Sequence, residues 1–291
     1  MIYALVKNMR PHQWIKNGFV FAALVFSGRF KEPEAYPPAV LMFLGFCLVS
    51  GGLYLVNDLV DIELDKLHPE KRMRPLASGR LSPRMAVWAA TAFIPLGLTL
   101  AFVTGLGGGL TLSTYVALTL AYSFFLKQYV FADVLLIATG FVLRAAAGAL
   151  AIDVTISRWL IVCTALLALF LALNKRRHEL LLLGTEAAAH RANLETYSTG
   201  LLNVLIALVT VATFAAYTVY CITSHPLKTV RGPQLLATLP FVVYGMLRYL
   251  YLANSRKHGG DPTTTLITDR QLLTTVVLWL LTVGTIVAYY G

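Results

Sequence analysis

Charge is scarce in this sequence. Of its 291 residues, 13% are Asp, Glu, Lys or Arg against 57% hydrophobic, and the mean hydropathy is +0.69. A soluble domain carries about 25% charged residues, so a water-soluble globular protein is excluded and a chain dissolved in lipid is implied. Cysteine is nearly absent. Cys47, Cys163 and Cys221 each lie in a separate apolar run, which excludes a disulfide framework and a thiolate zinc site. No A-x-A-like site follows the first apolar run, Trp14 to Ser27, so no cleavable signal peptide is expected. Repeats, low-complexity tracts and long linkers are also missing, which predicts one integral membrane domain over residues 1–291.

What is present is a series of apolar runs, each near the roughly 20 residues that cross a bilayer as a helix. The expected spans are 14–29, 38–57, 85–104, 107–126, 129–151, 157–174, 199–222, 235–253 and 271–290, giving an all-α, polytopic protein of nine transmembrane helices. Pro95 and Pro240 fall inside spans, where neighbouring helices tolerate them. Lys and Arg exceed Asp and Glu by 24 to 14. A basic face under anionic lipid, or a phosphate site, accounts for that excess without a nucleic-acid partner. Sorted between alternate sides, 17 bases fall on one face and only Arg29, Lys31, Arg158, Lys228 and Arg231 on the other, with Arg144 and Arg248 inside spans. The 17 include Lys7, Arg10, Arg191, Arg256 and Lys257. The bias predicts a cell inner membrane protein with a cytoplasmic N-terminus and an outside C-terminus.

The acidic residues concentrate in Asn57-Asp58-x-x-Asp61-x-x-x-Asp65, followed by Lys71-Arg72-x-Arg74-Pro75-Leu76-Ala77-x-Gly79. On a continuous helix, Asp58, Asp61 and Asp65 share one face. Three crowded carboxylates need a cation, and hard oxygen donors completed by water and substrate phosphate suit Mg²⁺. The alternative is a solvated acidic helix end paired with the basic loop after it. In the fifth helix, Asp133, Gly140, Arg144 and Gly148 fall on one face, with small residues permitting close helix approach. An arginine inside a span is costly unless it faces a polar cavity or a partner. Arg144 is therefore expected either to bind phosphate in a cavity or to form a structural ion pair with Asp133 or another helix.

The N-D-x-x-D-x-x-x-D run with R-P-L-x-x-G downstream resembles the UbiA superfamily of intramembrane prenyltransferases. The opening Arg10-Pro11-x-Gln13-Trp14-x-Lys16-Asn17 is similar to the decaprenyl-phosphate phosphoribosyltransferase branch of that superfamily. So are Tyr122-Ser123-x-x-Leu126-Lys127, the Asp133 to Gly148 face, Lys175-Arg176-x-x-Glu179, and Pro262 to Leu272 with Asp269-Arg270. The resemblance implies helices around a central cavity open to the cytoplasmic face. Aromatic prenyltransferases of the superfamily carry a second Asp-rich motif after the sixth helix, where this sequence has Lys175-Arg176-Arg177-His178-Glu179. Bases bind phosphate directly by charge-assisted hydrogen bonds, although the same residues also read as a positive-inside stop signal.

The resemblance thus implies transfer of 5-phosphoribosyl from phosphoribosyl diphosphate to a polyprenyl, decaprenyl-type phosphate. The Mg²⁺ ligands would be Asp58, Asp61 and Asp65, with Asn57 orienting a ligand or hydroxyl. Substrate-binding candidates are Gln13, Lys16, Lys71, Arg72, Arg74, Lys127, Arg144, Lys175 and Arg176, with Tyr122 and Glu179 on ribose hydroxyls or holding those bases. Without the resemblance, Gln13 and Lys16 read as interfacial side chains beside Trp14. Prenyl transfer from its diphosphate to an aromatic acceptor is the competing enzyme reading. A transporter or scaffold is disfavoured because the polar residues gather at one face instead of along a path. His68 and His178 lie near the expected site but are assigned no catalytic role. A homo-oligomer is left open.

Overall fold

The computed structural model describes residues 2–69, 71–183, 197–223, 232–254 and 261–290. Arg191, Lys228, Arg231, Arg256 and Lys257 of the orientation argument lie outside the described residues. The described residues form helices joined by turns and short loops, with no strand. Helix α1 (Ile2–Asn8) leads into a 3₁₀ segment, Pro11–Phe21, continued by α2 (Ala22–Phe26). Helix α3 (Tyr36–Val60) is followed at once by α4 (Ile62–Leu67), then by α5 (Pro83–Val103), α6 (Leu106–Phe124) and α7 (Ala132–Ala151). The rest of the bundle is α8 (Arg158–Leu183), α9 (Thr199–Thr223), α10 (Leu239–Ala253), α11 (Pro262–Thr268) and α12 (Arg270–Tyr290).

Seven of these helical segments are long and apolar enough to cross a bilayer, against the nine expected. The 14–29 and 107–126 spans are the difference, and each has a physical reason. The first is wound mostly as 3₁₀ helix, whose rise of about 2.0 Å per residue lets Pro11 to Phe26 reach roughly 30 Å, nearly the hydrocarbon thickness, with few residues. In the second, α6, Gly107, Gly108 and Gly109 with several Ser and Thr dilute the hydropathy of a full-length helix. Pro240 lies inside the apolar stretch Gln234–Ala253 as expected, in the first turn of α10, which starts at Leu239. Pro95 stays inside α5. Large apolar side chains point outward, among them Trp88, Val103, Leu106, Val211 and Leu281, as a surface solvated by lipid requires. This is a multi-pass membrane protein.

Close packing brings α7 against the 3₁₀ segment. A Cβ on Gly148 would lie 1.9 Å from the Val20 carbonyl oxygen, a backbone atom that cannot swing aside. Gly148→Ala is expected to destabilise the protein by about 1–3 kcal/mol through forced separation of these elements. Thermal unfolding in detergent should show a lowered midpoint, and an unchanged midpoint would disprove the contact.

Candidate active site

The polar residues meet at the end of the bundle where α3 finishes and α7 begins. Helical hydrogen bonding runs through the acidic motif, from Asp61 N to Asn57 O at 3.0 Å and from Asp65 N to Asp61 O at 2.8 Å, although the backbone opens at Asp61 (φ −96°, ψ 8°). The carboxylates therefore leave one side of the chain but meet different bases. Asp58, 1% exposed, accepts from Asn8 Nδ2 at 3.0 Å, Arg10 Nη2 at 2.6 Å and Arg74 Nη1 at 3.1 Å. The same Arg74 nitrogen donates to Asp65 Oδ2 at 2.6 Å. Asp61 accepts from Lys127 Nζ at 2.6 Å and from Asn57 Nδ2 at 3.3 Å, and Asn57 Oδ1 accepts from Ser123 Oγ.

Among the described residues, no three carboxylate, His or Cys side chains are drawn together around one ion position. The shared ion expected from the sequence is thus represented by a pair, Asp58 and Asp65, converging on one positively charged nitrogen, while Asp61 turns to Lys127. Donor chemistry fits a hard divalent cation, and Arg74 already supplies positive charge where those two carboxylates meet. An ion seated there requires the guanidinium to withdraw. Burial raises the Asp65 carboxyl above its ordinary pKa, against the opposing charge and hydrogen bond of Arg74.

Arg74 is delivered by a tight loop. Leu76 and Leu81 are buried beside Met9 and Leu55, Leu81 N donates to Pro75 O at 2.9 Å, and the chain reverses at Gly79 with φ 73°. Only glycine takes that conformation without strain. The R-P-L-x-x-G motif is thus the hinge that aims Arg74 at the aspartates.

All the candidate residues except Asp58, Gln13 and Arg72 line one cavity of about 860 Å³. Its polar wall holds Asn57, Asp61, Asp65, Lys71, Arg74, Tyr122 and Lys127, then Lys16, Arg144, Lys175, Arg176 and Glu179. Phe19, Leu53, Ile137, Phe141 and Leu171 make an apolar side. Asp58 and Gln13 face a second, adjoining cavity, and Arg72 is exposed and lines neither.

Three basic residues prove to have different situations. Arg176, 3% exposed, is clamped by Asp133 at 2.5 Å and by Glu179. Asp133 is itself buried, so this cation is held between two protein carboxylates. Arg144 takes the opposite course. It lies eleven residues after Asp133, about 16 Å further along α7 at 1.5 Å per residue. Its guanidinium donates to Asn17 Oδ1 at 2.8 Å, Gly140 O at 2.8 Å and Tyr115 Oη at 2.9 Å, and it sits over the Tyr115 ring at 4.7 Å. No carboxylate among the described residues pairs with it, and Asp133, the alternative partner, belongs to Arg176. Lys175 likewise has no side-chain hydrogen bond or ion pair among the described residues, yet it lines both cavities.

Sequence reasoning missed Asp261. It caps α11, accepting from Thr264 N at 3.2 Å, and accepts from Gln13 Nε2 at 2.8 Å, with Lys16 Nζ at 3.8 Å. Gln13 in turn accepts from Lys16 and from Thr263 Oγ1. Burial pushes the Asp261 carboxyl up, but Lys16, the hydrogen bonds from Thr264 and Gln13, and Lys175 more than offset it and hold the pKa below the ordinary value. The Asp-Pro pair signals a helix start, but nothing local signals a partner 248 residues away. Arg10 was also missed. Its φ of 55° before Pro11 is an uncommon conformation for a side-chain-bearing residue, and it places the guanidinium on Asp58 and 4.6 Å from the Tyr54 ring.

The profile of the UbiA prenyltransferase family matches residues 18–264. Decaprenyl-phosphate phosphoribosyltransferase of Corynebacterium glutamicum is 33% identical over 281 residues, covering 94% of this chain and 84% of that protein. The protein of the same name from Mycobacterium tuberculosis is 30% identical over 294 residues, covering 99% and 96%. A UbiA homolog from Archaeoglobus fulgidus, solved with GPP and Mg²⁺, shares the fold with a TM-score of 0.74 at 19% identity, over 98% of this chain and 99% of that one. On the family match, those relatives and the shared helical architecture, the chain belongs to the UbiA prenyltransferase family.

Proposed function

We propose that this membrane enzyme transfers 5-phosphoribosyl from phosphoribosyl diphosphate to the phosphate of a decaprenyl-type polyprenyl lipid, releasing diphosphate. One observation carries the reading: a single cavity holds an acidic cluster together with two cations, Arg144 and Lys175, that form no ion pair among the described residues, alongside an apolar wall. The acidic end suits a metal-chelated diphosphate, the free cations suit a second phosphate, and the apolar wall suits the lipid chain. The names of the relatives support the same substrate pair. On this reading the acidic end faces the cytoplasm of a cell inner membrane, as the distribution of bases predicts.

Asp58, Asp61 and Asp65 would hold Mg²⁺, which when bound neutralises charge on the departing diphosphate. The remaining work belongs to the side chains. The bond from the ribosyl C1 to the diphosphate oxygen breaks as an oxygen of the lipid phosphate bonds C1, and C1 passes through oxocarbenium character. A lipid phosphate with a second pKa near about 6 is already largely anionic at neutral pH, so no general base is needed, in keeping with the lack of an assigned one. Arg144 and Lys175 orient that phosphate, and Lys127 holds Asp61 in place. Bringing two anions together against their repulsion is the main barrier these cations lower.

Purified protein given phosphoribosyl diphosphate, decaprenyl phosphate and Mg²⁺ should form a lipid-linked ribose phosphate, and chelation should stop it. Consumption of a prenyl diphosphate with an aromatic acceptor, without any lipid-linked ribose phosphate, would overturn the substrate assignment.

A further inference from the structure

The second cavity has a volume of about 610 Å³, within the roughly 300–1,000 Å³ of small-molecule sites. It shares a wall with the first, made of Arg10, Lys16, Tyr54, Arg74 and Lys175. Its own lining is different in kind. Among the described residues, Lys7, Asn8, His12, Gln13, Asp58, Asp261 and Thr264 are polar, and Met73 and two prolines are not. The larger apolar wall belongs to the first cavity, which offers a polyprenyl chain Phe19, Leu53 and Phe141.

Among the described residues, five basic side chains line this space against two carboxylates, Asp58 and Asp261. Asp58 is already taken by Arg10 and Arg74. Lys7 and Lys175 have no side-chain hydrogen bond or ion pair among the described residues, and Lys16 stands 3.8 Å from Asp261. Such an excess of donors binds an anion. Beside those donors stand acceptors. Asn8 is 1% exposed, and its Oδ1 has no hydrogen-bond partner; Asp261 presents a carboxylate on the same lining. Bases and hydroxyl acceptors in one polar space complement a ligand that carries both a phosphate and hydroxyls.

We infer that the second cavity receives the phosphomonoester half of the sugar diphosphate. Its 5-phosphate lies against Lys7 and Lys16, and its ribose hydroxyls donate to Asn8 Oδ1 and Asp261. The diphosphate at C1 reaches through the shared wall to the aspartates. The identity of the sugar rests on the phosphoribosyl reading above; the anion site rests on the lining alone.

The test uses full-length protein in nanodiscs, calorimetry with ribose 5-phosphate and with inorganic phosphate, and steady-state kinetics. Ribose 5-phosphate should bind more tightly than inorganic phosphate and compete with phosphoribosyl diphosphate. Lys7→Gln, an exposed position that leaves the fold alone, and Asp261→Asn should each raise KM for phosphoribosyl diphosphate by about tenfold, the scale of one lost charge-assisted hydrogen bond. KM for polyprenyl phosphate should not change. Unaltered KM for the sugar diphosphate in Lys7→Gln, or a rise for the lipid phosphate instead, overturns the inference while leaving the transfer reaction intact. Lys7-dependent binding of ribose 5-phosphate by a wild-type protein that makes no lipid-linked ribose phosphate supports the anion site and sinks the reaction.

Discussion

Asp61→Asn should lower kcat/KM for phosphoribosyl transfer by at least about 100-fold, the scale of losing one preorganised electrostatic contact to developing charge, while the protein still folds. The two halves of this result have separate causes. Asp61, like Asp65, lines the main cavity, but among the described residues it accepts from Lys127 and Asn57 and not from Arg74, so an amide removes a proposed ligand charge at the point of bond breaking. Its ion pair is partly exposed, 31% for Lys127 and 22% for Asp61, and such a pair is worth about 1 kcal/mol or less. The unfolding midpoint should barely move. Asp58→Asn is the contrasting variant. That carboxylate is buried under Asn8, Arg10 and Arg74, so its loss should reduce stability and activity together. Product formation measured beside thermal unfolding separates the two, and full activity in Asp61→Asn would remove the aspartate cluster from the mechanism.

Arg176→Met should destabilise the fold by about 3–5 kcal/mol, because it leaves the buried Asp133 carboxylate without its cation. Asp133 is 1% exposed, and the hydrogen bonds it accepts from Val134 N at 2.9 Å and Tyr197 Oη at 3.5 Å bring no positive charge to replace the guanidinium. If Arg176 is a positioning residue, Arg176→Met combined with Asp133→Leu should recover much of that stability, since a buried ion pair exchanged for packed apolar groups is often neutral. It should recover transfer activity as well. A double variant that folds but has lost affinity for phosphoribosyl diphosphate or lipid phosphate would return Arg176 to the substrate-binding set.

Arg144, Arg176 and Lys175 show how far local reading reaches. Spacing places Arg144 on the Gly140 and Gly148 face of α7, and Gly148 does meet Val20 closely. The same spacing offers Asp133 as its partner, which the fold gives to Arg176 on α8. Two cations competing for one carboxylate cannot be ranked by periodicity, because the winner depends on how α7 and α8 are rotated against each other. The acidic motif behaves in the same way. Its period brings Asp58, Asp61 and Asp65 to one side, but which base each meets is set by a loop turning at Gly79 and by an N-terminal segment arriving from elsewhere.

The amino-acid order alone determined that this is a helical membrane protein, through runs of apolar residues whose backbone must satisfy its own hydrogen bonds in lipid, and that its carboxylates cluster beside bases. Those are properties of neighbours along the chain. Tertiary structure alone decided that Asp261 stands beside Gln13, that Arg74 bridges two aspartates, and that Arg144 meets no carboxylate among the described residues. Charges in a low-dielectric interior act strongly over a few ångströms, and only packing brings residues as far apart as 13 and 261 within that range.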